Sequence, residues 1–247
     1  MSTRAAIVTG ASTGIGLAIT TALCEDGFAV TMAARRKPRL LAAADALRSQ
    51  GHVVSTIAAD VIADDAGDEL VAAHLDRFGR LDVVVANAGW GTNGTVADSP
   101  AKDLDRMLRI NVAAPFSLAA AAIPAMRRSG DEPASTASSW FVIVSSMAGQ
   151  WPVPGFAGYA AAKAAAVSLA RSIAAEEAMT GVRSCAICPA FVATDMTAWL
   201  GETIPADTML EACDVAETVR FLLRLSPNAS VTELVLRRAG ASDQHAP

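Results

Sequence analysis

The stretch Ala5-Ala6-Ile7-Val8-Thr9-Gly10-Ala11-Ser12-Thr13-Gly14-Ile15-Gly16-Leu17 decides how the chain folds. Residues 5–9 form an apolar run, glycines stand at 10, 14 and 16, and residues 17–23 carry an apolar face at helical spacing. Strand, tight turn and helix in that order open a nucleotide-binding unit. Glycines let the backbone approach a pyrophosphate, whose charge meets free N–H groups at the helix N-terminus. Gly10, Ser12, Thr13, Gly14, Ile15 and Gly16 are the candidate cradle. The spacing is G-x3-G-x-G rather than G-x-G-x-x-G, so by motif alone a plain glycine-rich turn competes with it.

Outward from this unit, strand and helix patterns alternate to the end of the chain. Strand-like runs occupy residues 28–33, 53–59, 81–86, 140–144, 182–188 and 231–236. Helical patterns cover 64–78, a long stretch opened by Ser99 as N-cap and Pro100 at the first helical position, then residues from Tyr159 to the glycine at 181, and 214–225. Asn111, a weak helix former followed by Pro115, predicts an irregularity inside the long helix. The expectation is an α/β, Rossmann-like, doubly wound sheet, mostly parallel, of about seven strands. The 247 residues suit a single domain over 1–247, without linker or repeat. Residues 128–139 turn small and polar and read as an exposed loop.

Composition narrows the function. Hydrophobic residues make up 52% of the chain, yet no uninterrupted apolar run reaches the roughly 18 residues a membrane span needs. The richest, 112–126, carries Pro115 and Pro124. The N-terminus lacks a secretory signal's apolar stretch, so a soluble, cytoplasmic protein is expected. A net charge of −5 without a basic block argues against nucleic acid or an anionic membrane as partner. Cys185 and Cys188 have a metal-like spacing, but three apart on a strand they face opposite ways. His52, His74 and His245 are scattered, and no metal is expected.

Chemistry concentrates near Tyr159, the only tyrosine. On a helix Tyr159 and Lys163 share one face, and an ammonium a few ångströms from a phenol is expected to lower its pKa from about 10. Ser145 and Ser146 end the apolar run 140–144, so a hydroxyl at a strand tip can polarise a carbonyl. A tyrosine and a lysine four apart are more often a solvated face or a packed ring. Their company decides otherwise: the glycine turn, Asn87-Ala88-Gly89, Asn111, and thirteen residues from Ser146 to Tyr159.

With these five elements in order, the chain resembles the short-chain dehydrogenase/reductase family from end to end. The resemblance implies that Tyr159 is the general acid and base, that Ser146 hydrogen-bonds the substrate oxygen, and that Lys163 lowers the tyrosine pKa and holds the cofactor ribose. It implies that Asn111 binds a water leading to Lys163, that Asp60 and Val61 meet the adenine edge, and that Asn87, Ala88 and Gly89 flank the cofactor. Pro189, Val192 and Thr194 are implied to approach the nicotinamide or phosphates. Ala190 stands where the family usually has glycine, and residues 239–247 lack the family's usual ending.

The second strand's end sets the cofactor. Ala34 cannot accept ribose hydroxyls, whereas Arg35, with Arg36, can pair with a 2′-phosphate. In the family a basic residue here goes with NADP(H), so NADP(H) is expected over NAD(H). The competing role for Arg35 and Arg36 is the start of a solvated helix.

The expected activity is carbonyl reduction or alcohol oxidation on a small-molecule substrate. Two alternatives stand beside it. A nucleotide-binding regulator without turnover would not need Ser146, Tyr159 and Lys163 together; an epimerase or dehydratase would hold its cofactor tightly without consuming it. Trp90, Trp151, Phe156, Met196, Trp199 and Leu200 are expected to make an apolar substrate pocket, the last three in a lid over 193–210. Alanine-rich helices at 111–126 and 159–179 suggest a homodimer or homotetramer.

Overall fold

The computed structural model describes residues 4–130, 139–151, 153–200 and 204–240. Its sheet has seven strands, β1 (Ala5–Thr9), β2 (Ala29–Ala34), β3 (Val54–Ala58), β4 (Val83–Ala86), β5 (Ser139–Val144), β6 (Val182–Pro189) and β7 (Glu233–Leu236). Their order is β3-β2-β1-β4-β5-β6-β7, and every pairing is parallel. Strands covered on both faces read as continuous apolar runs, and the five residues of β1 and six of β5 are all buried.

Alternate side chains enter two cores. Val8 lies with Ile19 and Leu23 of α1 (Gly14–Glu25), Leu40 of α2 (Lys37–Ser49) and Val219 of α7 (Ala212–Leu223). Its neighbour Ile7 lies on the other face, with Leu70 of α3 (Ala66–Phe78), Leu118 of α5 (Ala114–Gly130) and Ile173 of α6 (Ala157–Glu176). Cys185 joins the first core and Cys188 the second, so the two thiols cannot share an ion. His74 is buried between Thr31 (Oγ1 to Nδ1, 2.7 Å) and the Arg80 carbonyl (2.9 Å from Nε2). Burial lowers its pKa to about 4, so the ring is neutral: Nε2–H donates to the carbonyl and Nδ1 accepts from the hydroxyl.

The long helix begins one residue later than expected. Pro100 is extended and occupies the cap position of α4 (Ala101–Leu108), and the Ser99 hydroxyl, rather than capping the helix, donates to the Thr95 carbonyl at 2.7 Å. The irregularity at Asn111 is a π-helical turn, Arg109–Ala113. Pro115 has no N–H for the Asn111 carbonyl, and the Asn111 side chain donates from Nδ2 to the Met107 carbonyl one turn back (2.9 Å). The whole stretch Ala101–Ser129 is long and apolar enough to cross a bilayer by length and composition. Here it is a core helix, with Asn111, Leu118, Ala122 and Met126 buried. Of the expected exposed loop, residues 131–138 lie outside the described residues, as do 241–247 of the tail.

The strand order reverses between β1 and β4. In open parallel sheets the crevice at that point, outside the carboxyl ends of the strands, is where ligands bind.

Candidate active site

A cleft of about 730 Å³ opens at those carboxyl ends. The glycine turn makes its floor. Gly10 has φ +65°, a left-handed conformation that favours glycine, and a Cβ on Gly16 would lie 2.3 Å from the Gly10 carbonyl oxygen. No side chain caps α1, so its first N–H groups remain for a ligand beside Ser12, Thr13, Gly14 and Ile15. Gly16 does not border the cleft; it lets helix and turn pack. Asn87 braces the floor from β4. Its side chain donates to the Thr9 carbonyl (2.9 Å), while the Asn87 and Ala88 amides both donate to Thr9 Oγ1 (3.0 Å).

One end of the cleft is charged. Ala34, Arg35 and Arg36 border it with Asp60 and Val61, and so does Arg39, which sequence reasoning missed. Arg39 pairs with Asp195 at 3.1 Å across 156 positions of chain, joining α2 to the segment after β6. Thr194 beside it closes on Gly14, where a Cβ would meet its Cγ2 at 3.1 Å. Asp60 does not cap α3, whose N-terminal position is Asp65. Pro189 and Val192 also border the cleft. Ala190 costs nothing in the path between them: among the described residues only glycines have positive φ, and the Ala190 amide bonds the Leu236 carbonyl at 2.8 Å.

The other end brings together Ser146, Tyr159 and Lys163, with Gly89 beside them. The Ser145 hydroxyl is committed elsewhere: buried, it donates to the Lys163 carbonyl at 2.8 Å. Ser146 accepts from the Ala148 amide at 3.2 Å and faces the cleft. Lys163 is buried and donates to the Val144 carbonyl at 2.9 Å. Asn111 stands behind the cleft wall and donates to the Trp90 and Met107 carbonyls (2.7 and 2.9 Å), leaving Oδ1 buried without a partner. A Cβ on Gly89 would lie 3.0 Å from that oxygen and 3.4 Å from Lys163 Nζ, so the two groups flank one glycine.

Electrostatics here run against the expectation from sequence. Burial pushes the Tyr159 phenol up to about 12, opposed only in part by the Ser146 hydroxyl. Lys163 does not pull it down. Its ammonium is itself driven to about 8 by burial, lies 5.7 Å from the tyrosine ring centroid and is spent on a backbone carbonyl.

Trp90, Phe156, Met196, Trp199 and Leu200 line this end, and Phe156 and Trp199 approach with ring centroids 6.3 Å apart. Trp151 does not line it. Its amide donates to the Met147 carbonyl at 3.1 Å, extending the turn Met147–Gly149, and Val153 borders the cleft. Of the span 193–210, Thr194, Asp195, Met196, Thr197, Trp199 and Leu200 border the cleft, with turns at Ala198–Leu200 and Ala206–Thr208; 201–203 lie outside the described residues. Its ends are tied, Ala193 to the Leu210 carbonyl (2.8 Å) and Leu210 to that of Phe191 (2.9 Å). Gly91 was not foreseen. A Cβ there would lie 2.3 Å from Tyr159 Cδ2, so the backbone is pressed against the ring; the only sequence signal was its place just after Asn87-Ala88-Gly89.

Comparison with known proteins places the fold in a family. The model of the family described as short chain dehydrogenase matches residues 4–205. An uncharacterized oxidoreductase of Staphylococcus epidermidis is 31% identical over 234 residues, 95% of this chain and 96% of that protein. Among solved structures, an alcohol dehydrogenase from the archaeon Thermococcus sibiricus, complexed with 5-hydroxy-NADP, is 30% identical with a TM-score of 0.85, covering 97% of this chain and 98% of that one. Actinorhodin polyketide ketoreductase with NADPH is 26% identical with a TM-score of 0.86, covering 94% and 95%. In fold, in family match and in its curated relatives, the chain belongs to the short-chain dehydrogenases, a family of oxidoreductases.

Proposed function

We propose that the protein reduces a neutral, bulky carbonyl compound to an alcohol, preferring NADP(H) over NAD(H). One observation carries this: Ser146, Tyr159 and Lys163, with Asn111 behind them, meet at the aromatic end of a cleft whose other end presents a glycine turn, uncapped amides and three arginines. The residues fit a dinucleotide. The turn and the α1 amides would hold the pyrophosphate, Arg35 and Arg36 the 2′-phosphate, Asp60 and Val61 the adenine edge, and Tyr159 and Lys163 the nicotinamide ribose. When bound, the cofactor supplies the hydride.

The protein's part is proton supply and placement. A phenol held near 12 keeps its proton at neutral pH, which suits donation to a nascent alkoxide and hence the reductive direction. Ser146 hydrogen-bonds the same oxygen. Lys163, near 8, is mostly charged at pH 7 and passes a proton toward the phenol, and the unpartnered Asn111 oxygen is the site for a water that refills it. A screen of NADPH consumption over ketones, aldehydes and quinones tests the proposal; a preference for small charged keto acids, or no consumption, overturns it.

Two further expectations take a new basis. Ala119 and Ala122 of α5 and Ala166 and Ala170 of α6 are buried in one core of the subunit, whereas Ala120, Ala161 and Ala164 are exposed. The face formed by α4 and α5 also leaves Leu104, Leu108 and Phe116 exposed, and a second copy of the chain covers them in the homo-oligomer we propose. Light scattering giving the mass of one chain at micromolar concentration would count against it. Four free thiols, three of them buried, suit the reducing cytoplasm.

A further inference from the structure

Five of the chain's twelve aromatic side chains border one cleft: Trp90, Phe156, Tyr159, Phe191 and Trp199. Trp90 is the most firmly held. The Arg106 guanidinium stacks on its ring, 4.2 Å from the centroid. Arg106 does not border the cleft while Trp90 does, so the cation backs the indole from behind and leaves its remaining surface to a ligand. Among the described residues that guanidinium has no ion pair or hydrogen bond, so the ring is its sole partner, although Arg106 is otherwise exposed.

The backbone of Trp90 is fixed as well. Its carbonyl accepts from Asn111 Nδ2 at 2.7 Å, and the next residue, Gly91, is pressed against the Tyr159 ring. The loop beyond is tied to the opposite wall, the Gly94 amide donating to the Gly155 carbonyl at 2.6 Å just before Phe156. An indole held in this way is a rigid plane beside the phenol. Such a plane gives contact over a whole face to a flat ring at little entropic cost, whereas a puckered ring of the same skeleton touches it only through a few hydrogens.

Building on the carbonyl reductase reading above, we infer that the substrate is a planar aromatic or conjugated ring compound stacked on Trp90, and that Arg106 is a positioning residue that sets this specificity through the indole. The substrate's carbonyl then reaches Ser146 and Tyr159 while its ring lies between Trp90 and the Phe156–Trp199 pair.

The test compares 2-tetralone with trans-2-decalone, two ketones of one carbon skeleton, flat and puckered. The wild type should use 2-tetralone about tenfold more efficiently, and Trp90→Leu should erase the preference. Arg106→Gln should raise KM for 2-tetralone about two- to fivefold, the range of an exposed cation on an aromatic face, with kcat and the values for trans-2-decalone unchanged. Arg106→Lys should keep most of the preference. Calorimetric binding of 2-naphthol against trans-2-decalol needs no turnover and separates the two ideas. Tighter, Arg106-dependent binding of 2-naphthol without reduction of either ketone keeps the ring site and removes the reductase reading. Equal treatment of flat and puckered compounds in both measurements, or an Arg106→Gln effect alike on both ketones, overturns the inference.

Discussion

The two ends of the cleft are built differently. The charged end, where we propose the dinucleotide sits, draws mainly on residues close in sequence, 10–16 and 34–39, acting through backbone amides, glycines and guanidinium groups, with Asp60, Val61 and Thr194 added from later segments. The aromatic end, where we propose the substrate binds, is collected from seven places, around residues 90, 106, 111, 146, 156, 159 and 199, and consists of side chains whose properties depend on what surrounds them. Charge and conformational freedom are intrinsic to a residue type, whereas a pKa or a ring's placement belongs to the neighbourhood. One end is therefore robust to context and the other is made by it.

The contrast is open to attack from the substrate end first. Tyr159→Phe should lower kcat by about 10² to 10⁴-fold while weakening NADPH by about tenfold at most, the cost of one ribose hydrogen bond. Stopped-flow turnover close to wild type would remove the tyrosine from the chemistry. Gly91→Ala adds no group that transfers a proton, but its methyl would displace the Tyr159 ring, and kcat/KM should fall on the order of 10²-fold with cofactor binding intact. A fully active Gly91→Ala enzyme would show that the ring position is not set from this side.

At the opposite end, Arg35→Ala should weaken NADPH about ten- to a hundredfold, the cost of a charged hydrogen bond, and leave NADH nearly unchanged. Equal losses for both cofactors in fluorescence titrations would return Arg35 to a solvated helix-start residue. A pH profile then sharpens the comparison, because arginines do not titrate in the working range while Lys163 does. Lys163 is lowered to about 8 and in the proposed mechanism its protonated form is the active one, so kcat/KM for reduction should hold below about pH 7 and fall about fivefold from pH 8 to 9, approaching tenfold per pH unit above that. A profile flat to pH 10 would contradict the buried ammonium. Smallest of all, Asp195→Asn removes an exposed ion pair that spans the cleft, and should speed NADPH release by at most about fivefold, an effect erased by high salt. A larger, salt-independent change would mean that the segment is held by more than this pair.

The limits of the sequence show at particular residues. Ser146 was separable from Ser145 by spacing to Tyr159, and the structure adds why: the Ser145 hydroxyl is committed to the Lys163 carbonyl. Trp151 and Trp90 looked equivalent, since both are large and lie near the catalytic segment; one amide bond to Met147 takes Trp151 out of the cleft. Arg39, Arg106 and Asp195 carry no motif, because a lone charge acquires its partner only when distant segments meet.

What the sequence determined by itself was the order of strands and helices, the glycine turn, the absence of an acid after β2, and the one-turn stacking of Tyr159 and Lys163. Each follows from local backbone preference, periodicity or residue chemistry, which act over a few neighbouring positions. Only the tertiary structure decided the direction of the tyrosine's pKa, the pressing of Gly91 on its ring, the cation behind Trp90 and the pairing of Arg39 with Asp195. Those depend on desolvation and on contacts between residues far apart in the chain. They exist only once the sheet has closed its two cores and brought the carboxyl ends of its strands together.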